Sequence, residues 1–107
     1  IKDCVRVVDW LIRNPDVGGV FNVGTGQART WNDLGRAVFA AMGREPQIEY
    51  VDMPDNLRGK YQYYTCADLK KLAGRGCDVD FRPLEDGVTD YVQNYLMKGY
   101  SHLTSRY

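Results

Sequence analysis

The chain has 107 residues, 44% of them hydrophobic and 26% charged, a composition that suits one small globular domain and leaves no room for several. Its 14 basic residues balance 14 acidic ones, so no net field draws it to nucleic acid or to an anionic membrane, and neither is expected as a partner. No apolar run approaches the length of a membrane span. The three widely spaced cysteines (Cys4, Cys66, Cys77) and the single histidine (His102) make neither a disulfide framework nor a metal motif, and free thiols in a reducing cytoplasm are expected.

The chain opens on Ile1 and runs at once into a helix start at Asp3, from which an upstream portion is expected. Asp3 is placed to accept backbone N–H bonds as an N-cap, a contact worth about 1 kcal/mol. Cys4, Val7, Val8 and Leu11 recur behind it at helical spacing, and Asn14-Pro15 stops the helix. Gly18-Gly19 turns the chain. Residues 20–23 read as a short buried strand, and Gly24-Thr25-Gly26 turns the chain again. Thr30-Trp31-Asn32-Asp33 has the form of a capping box with a shorter acid in the last position. The helix behind it carries Trp31, Leu34, Val38 and Met42 on one face and closes at Gly43.

Residues 47–51 form the second predicted strand. Thr65-Cys66-Ala67-Asp68 repeats the capping pattern ahead of a short helix with Leu69 and Leu72, ending near Gly74. Pro83 suits the first position of a last helix, whose core face is Leu84, Val88, Tyr91, Val92 and Tyr95. Residues 98–107 turn polar and read as a loose tail, which leaves 1–97 as the folded portion. The order helix, strand, helix, strand, helix, helix predicts an α/β fold. Two short strands make a poor sheet by themselves, so they read as edge pieces of a larger structure.

Three features invite a chemical reading. The run Leu57-Arg58-Gly59-Lys60-Tyr61-Gln62-Tyr63-Tyr64 sets two cations and three tyrosines side by side. Cations beside aromatic rings suit a ligand that has both phosphate and a flat ring. The competing reading is that Tyr61 and Tyr63 alternate on an extended segment and pack, while Arg58 and Lys60 are solvated. Gly24-x-Gly26 suggests a dinucleotide turn. Against it, Arg29 stands where the third glycine belongs, and the helix cap at Thr30 comes several residues late. Asp52 also lies beyond the roughly 20-residue spacing of a ribose-binding acid. Asp68, Glu85 and Asp86 could be paired acids, but each falls in the first turn of a predicted helix, where carboxylates favour the helix dipole.

The run Gly19-Val20-Phe21-Asn22-Val23-Gly24-Thr25-Gly26, the stretch from Leu57 to Asp68, and Phe81-Arg82-Pro83-Leu84-Glu85-Asp86-Gly87-Val88 together resemble one family. It is that of the ADP-L-glycero-D-manno-heptose 6-epimerases, extended short-chain dehydrogenases/reductases. The resemblance runs from about Ile1 to Leu96 and covers the carboxy-terminal part of such an enzyme. It implies the substrate-binding portion of a Rossmann-type fold, with short strands and several helices. It also implies an enzyme that interconverts the D-glycero and L-glycero forms of ADP-manno-heptose for the inner core of lipopolysaccharide.

By the same resemblance NADP oxidises the sugar transiently, held mainly by the amino-terminal portion, and the enzyme is cytoplasmic and homo-oligomeric. The tyrosine of the Gly-basic-Tyr-Gln run binds substrate in this family; here that is Tyr61, in Gly59-Lys60-Tyr61-Gln62, with Arg58 and Lys60 as flanking charges for a diphosphate. The superfamily's catalytic Tyr-x-x-x-Lys has no counterpart in the chain, so no catalytic residue is expected in it. Two other readings stay open: a fragment of a different nucleotide-sugar epimerase or dehydratase, and a non-catalytic module that binds a nucleotide or a protein.

Overall fold

The computed structural model describes residues 1–99. Its elements are four helices, α1 (Lys2–Arg13), α2 (Trp31–Ala41), α3 (Lys70–Gly74) and α4 (Leu84–Asn94), followed by a single 3-10 turn at Leu96–Lys98. Among the described residues there is no strand, which overturns the α/β expectation: the architecture is helical, joined by long irregular segments. Residues 20–23 and 47–51 have the composition of strands, but neither carries ladder bonds. A β-strand is a relation between two segments, and its N–H and C=O groups need a partner edge. Here Val20 is 85% exposed and Val51 81% exposed, while Phe21 and Ile48 are half-buried, so neither run buries its side chains as a sheet strand would. Instead of a strand partner, the Val20 carbonyl accepts from Lys71 Nζ at 2.8 Å.

The chain divides into two compact units. The first comprises Ile1–Ala28 and Gln62–Arg82. Val7, Trp10 and Leu72 are its buried centre, with Leu11, Val17, Phe21, Cys77, Val79 and Phe81 packed around them. Asn14 ends α1 as expected, and its side chain donates to the Trp10 carbonyl at 2.7 Å. Lys71 also lies over the Phe21 ring, 5.0 Å from its centre, which holds the irregular segment after Gly19 against α3.

Two capping expectations fail in this unit. α1 begins with Ile1 as its cap, and Asp3 lies inside the first turn and caps nothing. α3 begins later than the Thr65 pattern predicts, with Leu69 as its cap and no side-chain cap bond. Asp68 still serves that helix start, accepting from the Lys70 N–H at 2.9 Å.

The second unit comprises Arg29–Tyr61 and the segment from Pro83 onward. α2 and α4 pack on each other, burying Ala37, Ala41 and Val92. The capping box is present in full: Thr30 accepts from the Asp33 N–H, and Asp33 accepts from the Thr30 N–H. Gly43 leaves α2 with φ +66°, the left-handed conformation that a C-terminal glycine allows. The apolar face of α2 is rotated from the expected one. Its buried residues are the small Ala37 and Ala41, and Gln93 of α4 donates to the Ala41 carbonyl at 3.0 Å, while Trp31 and Met42 are exposed.

Pro83 caps α4 from the position before its first residue, one place earlier than expected. Tyr91 and Tyr95 stack at 5.9 Å along α4. Lys98 closes the 3-10 turn, so the predicted tail begins inside an ordered element; its remainder, 100–107, lies outside the described residues. Among the described residues no helix is long and apolar enough to cross a membrane.

Candidate functional site

Arg58, Lys60 and Tyr61 all fall in the second unit, at the end of its first segment. Pro54 opens a series of turns in which the Leu57 N–H donates to the Pro54 carbonyl at 2.9 Å and the Lys60 N–H to the Leu57 carbonyl at 3.1 Å. Gly59 takes φ +73°, which lets the chain reverse between the two cations. Arg58 and Lys60 are exposed. The Arg58 guanidinium reaches its local partner Asp55 at 3.3 Å, a pairing between exposed groups that a stronger anion can displace.

Tyr61 is tied down from another quarter. The indole N–H of Trp31, at the first position of α2, donates to the Tyr61 hydroxyl oxygen. The turn is thereby anchored to the helix by two aromatic side chains, both reaching solvent. Trp31 was expected on the core face of α2. The signal that could have placed it otherwise is its polar end: an indole N–H needs an acceptor, and a core of alanines and valines offers none.

The acids and cations of the second unit arrange themselves structurally. Arg29 reaches the Asp33 carboxylate at 3.3 Å and both oxygens of Glu85, one of them at 3.1 Å. Glu85 lies in the first turn of α4, so Arg29 joins the starts of α2 and α4. The hydrogen bonds from Arg29 hold the Glu85 carboxyl below its usual range, and Glu85 and Asp33 in turn raise the Arg29 guanidinium. The backbone N–H and hydroxyl of Thr30, with Arg29 behind them, lower Asp33. Asp86 shares the first turn of α4, whereas Asp68 stands just ahead of α3. Glu85 and Asp86 thus stand in a first turn, where the helix-start reading put them, and Asp68 does not.

In the first unit a cluster forms around Asp3 that no local pattern marks. Arg6 donates to its carboxylate. The Arg82 N–H does so at 3.3 Å and the Arg82 guanidinium at 3.2 Å. Arg6 also donates to the Asp80 carbonyl at 2.8 Å. The Arg6 bond first, then the Arg82 donors, hold the Asp3 carboxyl below its ordinary 3.8 against the opposing push of burial.

Asp3, Asp33 and Glu85 are therefore all lowered in the folded chain. A lowered carboxyl contributes stability that is fully present above its unfolded value, 3.8 for the aspartates and 4.5 for the glutamate. That contribution is lost as pH falls through the folded value. Thermal melting across a pH series should show a level melting temperature from neutrality down to about pH 5, then a steady fall below about pH 4. Asp3→Asn should flatten part of that fall.

The glycine turn after residues 20–23 is packed. A Cβ on Gly24 would lie 3.3 Å from Ala67 Cβ, and one on Gly26, whose φ is +73°, would lie 3.3 Å from Leu69 Cδ1. Thr25 Oγ1 accepts from the Gln27 N–H at 3.2 Å, and the Gly26 carbonyl accepts from the Cys66 thiol at 3.3 Å. The space that glycines would leave for a pyrophosphate is filled by this chain's own side chains, so the residues present do not fit a nicotinamide dinucleotide here. Nearby, hydrogen bonding with Cys66 raises the Tyr64 phenol. Among the described residues no group of three or more histidines, cysteines or acids could hold a metal ion.

No protein-family model matches the chain. Single proteins do. It is 63% identical over 103 residues to the ADP-L-glycero-D-manno-heptose-6-epimerase of Nitratidesulfovibrio vulgaris strain Hildenborough, which covers 96% of this chain and 32% of that enzyme. The enzyme of the same name from strain DP4 is 66% identical over 96 residues, 90% of this chain and 30% of that one. That of Alkalilimnicola ehrlichii is 46% identical over 92 residues, 86% of this chain and 28% of that one. These relatives carry one name, that of an epimerase of an ADP-linked sugar, and the likeness covers most of this chain. The chain is thus similar over most of its length to ADP-L-glycero-D-manno-heptose-6-epimerases, and it spans about a third of the length of the relatives it matches.

Proposed function

We propose that this chain is part of an ADP-L-glycero-D-manno-heptose 6-epimerase and supplies the sugar-nucleotide side of its site, with Tyr61, Arg58 and Lys60 as substrate-binding residues. The match over 96% of the chain carries this reading. The exposed turn that joins two cations to an anchored phenol supports it. A diphosphate offers acceptor oxygens to Arg58 and Lys60, and a phenol can donate to one oxygen while its ring covers an apolar face.

The whole enzyme would interconvert ADP-D-glycero-D-manno-heptose and ADP-L-glycero-D-manno-heptose for the inner core of lipopolysaccharide. It would be cytoplasmic and homo-oligomeric, as the family resemblance implies. NADP would supply a transient oxidation there. The packed glycine turn of this chain does not suit that cofactor, which would be held mainly by the amino-terminal portion.

Two measurements test the reading. The 107-residue chain by itself should give only background in an assay with the ADP-heptose and NADP, since it has no Tyr-x-x-x-Lys. A hybrid in which this chain replaces the matching third of the Nitratidesulfovibrio vulgaris enzyme should turn over at a rate typical of enzymes, on the order of 1 per second or more. A folded hybrid that binds no ADP-heptose would sink the proposal. Turnover by the isolated chain would show that the chemistry had been misplaced.

A further inference from the structure

The two tryptophans of this chain have opposite surroundings. Trp10 is 8% exposed and belongs to a buried centre, whereas Trp31 is 74% exposed. The one polar atom of the Trp31 side chain already has its acceptor, because the indole N–H donates to the Tyr61 hydroxyl oxygen. What Trp31 presents to solvent is therefore its apolar ring. That ring is held at both ends. Its backbone is the first residue of a helix whose start is kept by the Thr30–Asp33 box and by Arg29, and its far edge is tied to Tyr61. Tyr61 directly follows Lys60, and Arg58 stands two residues before Lys60. Consecutive Cα atoms are only about 3.8 Å apart, so an oriented aromatic ring and two exposed cations meet at one turn.

We propose that the Trp31 indole is a stacking platform for the base of the sugar nucleotide, with the diphosphate directed to Arg58 and Lys60. This rests on the assignment of the turn to that ligand. It adds to the turn a residue that neither the family resemblance nor the helical pattern marks. A base and a diphosphate are joined through one ribose, so a single nucleotide reaches both the ring and the cations. Tyr61 enters only as the acceptor that orients the indole, and nothing is asked of its hydroxyl hydrogen. Stacking needs only a flat π-face, which every base has. The platform thus supplies affinity for the nucleotide and leaves recognition of the sugar to other groups. A ring that is already ordered also loses little freedom when the base arrives.

The test is made on the full 107-residue chain, with ADP and inorganic pyrophosphate as probes. Pyrophosphate keeps the charge and lacks the base. ADP should quench tryptophan fluorescence and pyrophosphate should not. In Trp31→Phe only Trp10 still emits, and ADP should no longer change the signal. Calorimetric titration gives the affinities. Trp31→Ala should weaken ADP binding by about fivefold or more, as expected when an aromatic ring beneath a base is removed, and Trp31→Phe should recover part of the loss. Pyrophosphate binding should stay within about twofold in both variants. Arg58→Ala should weaken both probes, since the two share the phosphates. Trp31 lies outside both buried centres, so these substitutions leave the packing intact.

Unchanged ADP binding by Trp31→Ala, with weakened binding by Arg58→Ala, would overturn the role of Trp31 and leave the turn as a phosphate ligand. Equal losses of ADP and pyrophosphate in Trp31→Ala would also overturn it, since the indole would then act on the shape of the turn and not on a base. If the unaltered chain binds neither probe, the assignment of the turn falls, and the stacking role falls with it.

Discussion

Leu72→Ala should destabilise the chain by roughly 2–5 kcal/mol, the cost of emptying a leucine site in a packed core. Leu72 is 3% exposed and shares the buried centre of the first unit with Val7 and Trp10. It is also the only buried residue of α3, a helix of five residues. A helix so short has no stability of its own, because nucleation costs more than a single turn of hydrogen bonds returns. Its order depends on this one side chain. Loss of Leu72 should therefore release α3 and the Lys71 contacts to Val20 and Phe21 together.

Against the roughly 5–15 kcal/mol by which small domains are stable, the loss is a large fraction. Ile12→Ala is the control: Ile12 is exposed on α1, and its truncation should change stability by no more than about 0.5 kcal/mol. Urea unfolding followed by circular dichroism measures both. Equal effects of the two substitutions would show that the Val7–Trp10–Leu72 cluster is not the core of this unit.

Tyr61→Phe should weaken binding of the ADP-sugar to the hybrid enzyme by roughly 0.5–1.5 kcal/mol for a neutral acceptor, and by more if the acceptor is a phosphate oxygen. Tyr61→Ala should cost more again, because the ring face goes with the hydroxyl. Both should leave thermal stability nearly unchanged, since Tyr61 is not part of either buried centre. Calorimetric titration and melting curves on the same samples separate the two properties. A sharp drop in melting temperature with unchanged affinity would make Tyr61 a structural residue and remove it from the site. Arg58→Ala and Lys60→Ala provide a graded comparison: each removes a charge from an exposed turn, so their effects should shrink as salt rises.

What could be read from the residue string alone is what is local. The Thr30–Asp33 box spans four residues, and both of its bonds form in the structure. Asn14 and Gly43 end their helices for reasons carried by one or two residues each: the Pro15 that follows Asn14, and a glycine's freedom at φ +66°. The motif that proposes Arg58, Lys60 and Tyr61 is local in the same sense, lying within four residues.

Tertiary structure decided the rest. Whether residues 20–23 and 47–51 become strands depends on a partner edge that no local pattern can specify, and here neither forms one. Asp3 looks like a cap until Arg82, 79 residues away, is brought to its carboxylate. Arg29 and Glu85 meet across 56 residues. Trp31 has the spacing of a core residue, yet the buried residues of α2 are Ala37 and Ala41, and the indole stays at the surface with Tyr61. Helix caps and stops follow from the conformational preferences of a few adjacent residues. Strand pairing, ion pairs and the choice of buried face follow from which distant segments meet, and that is set by packing of the whole chain.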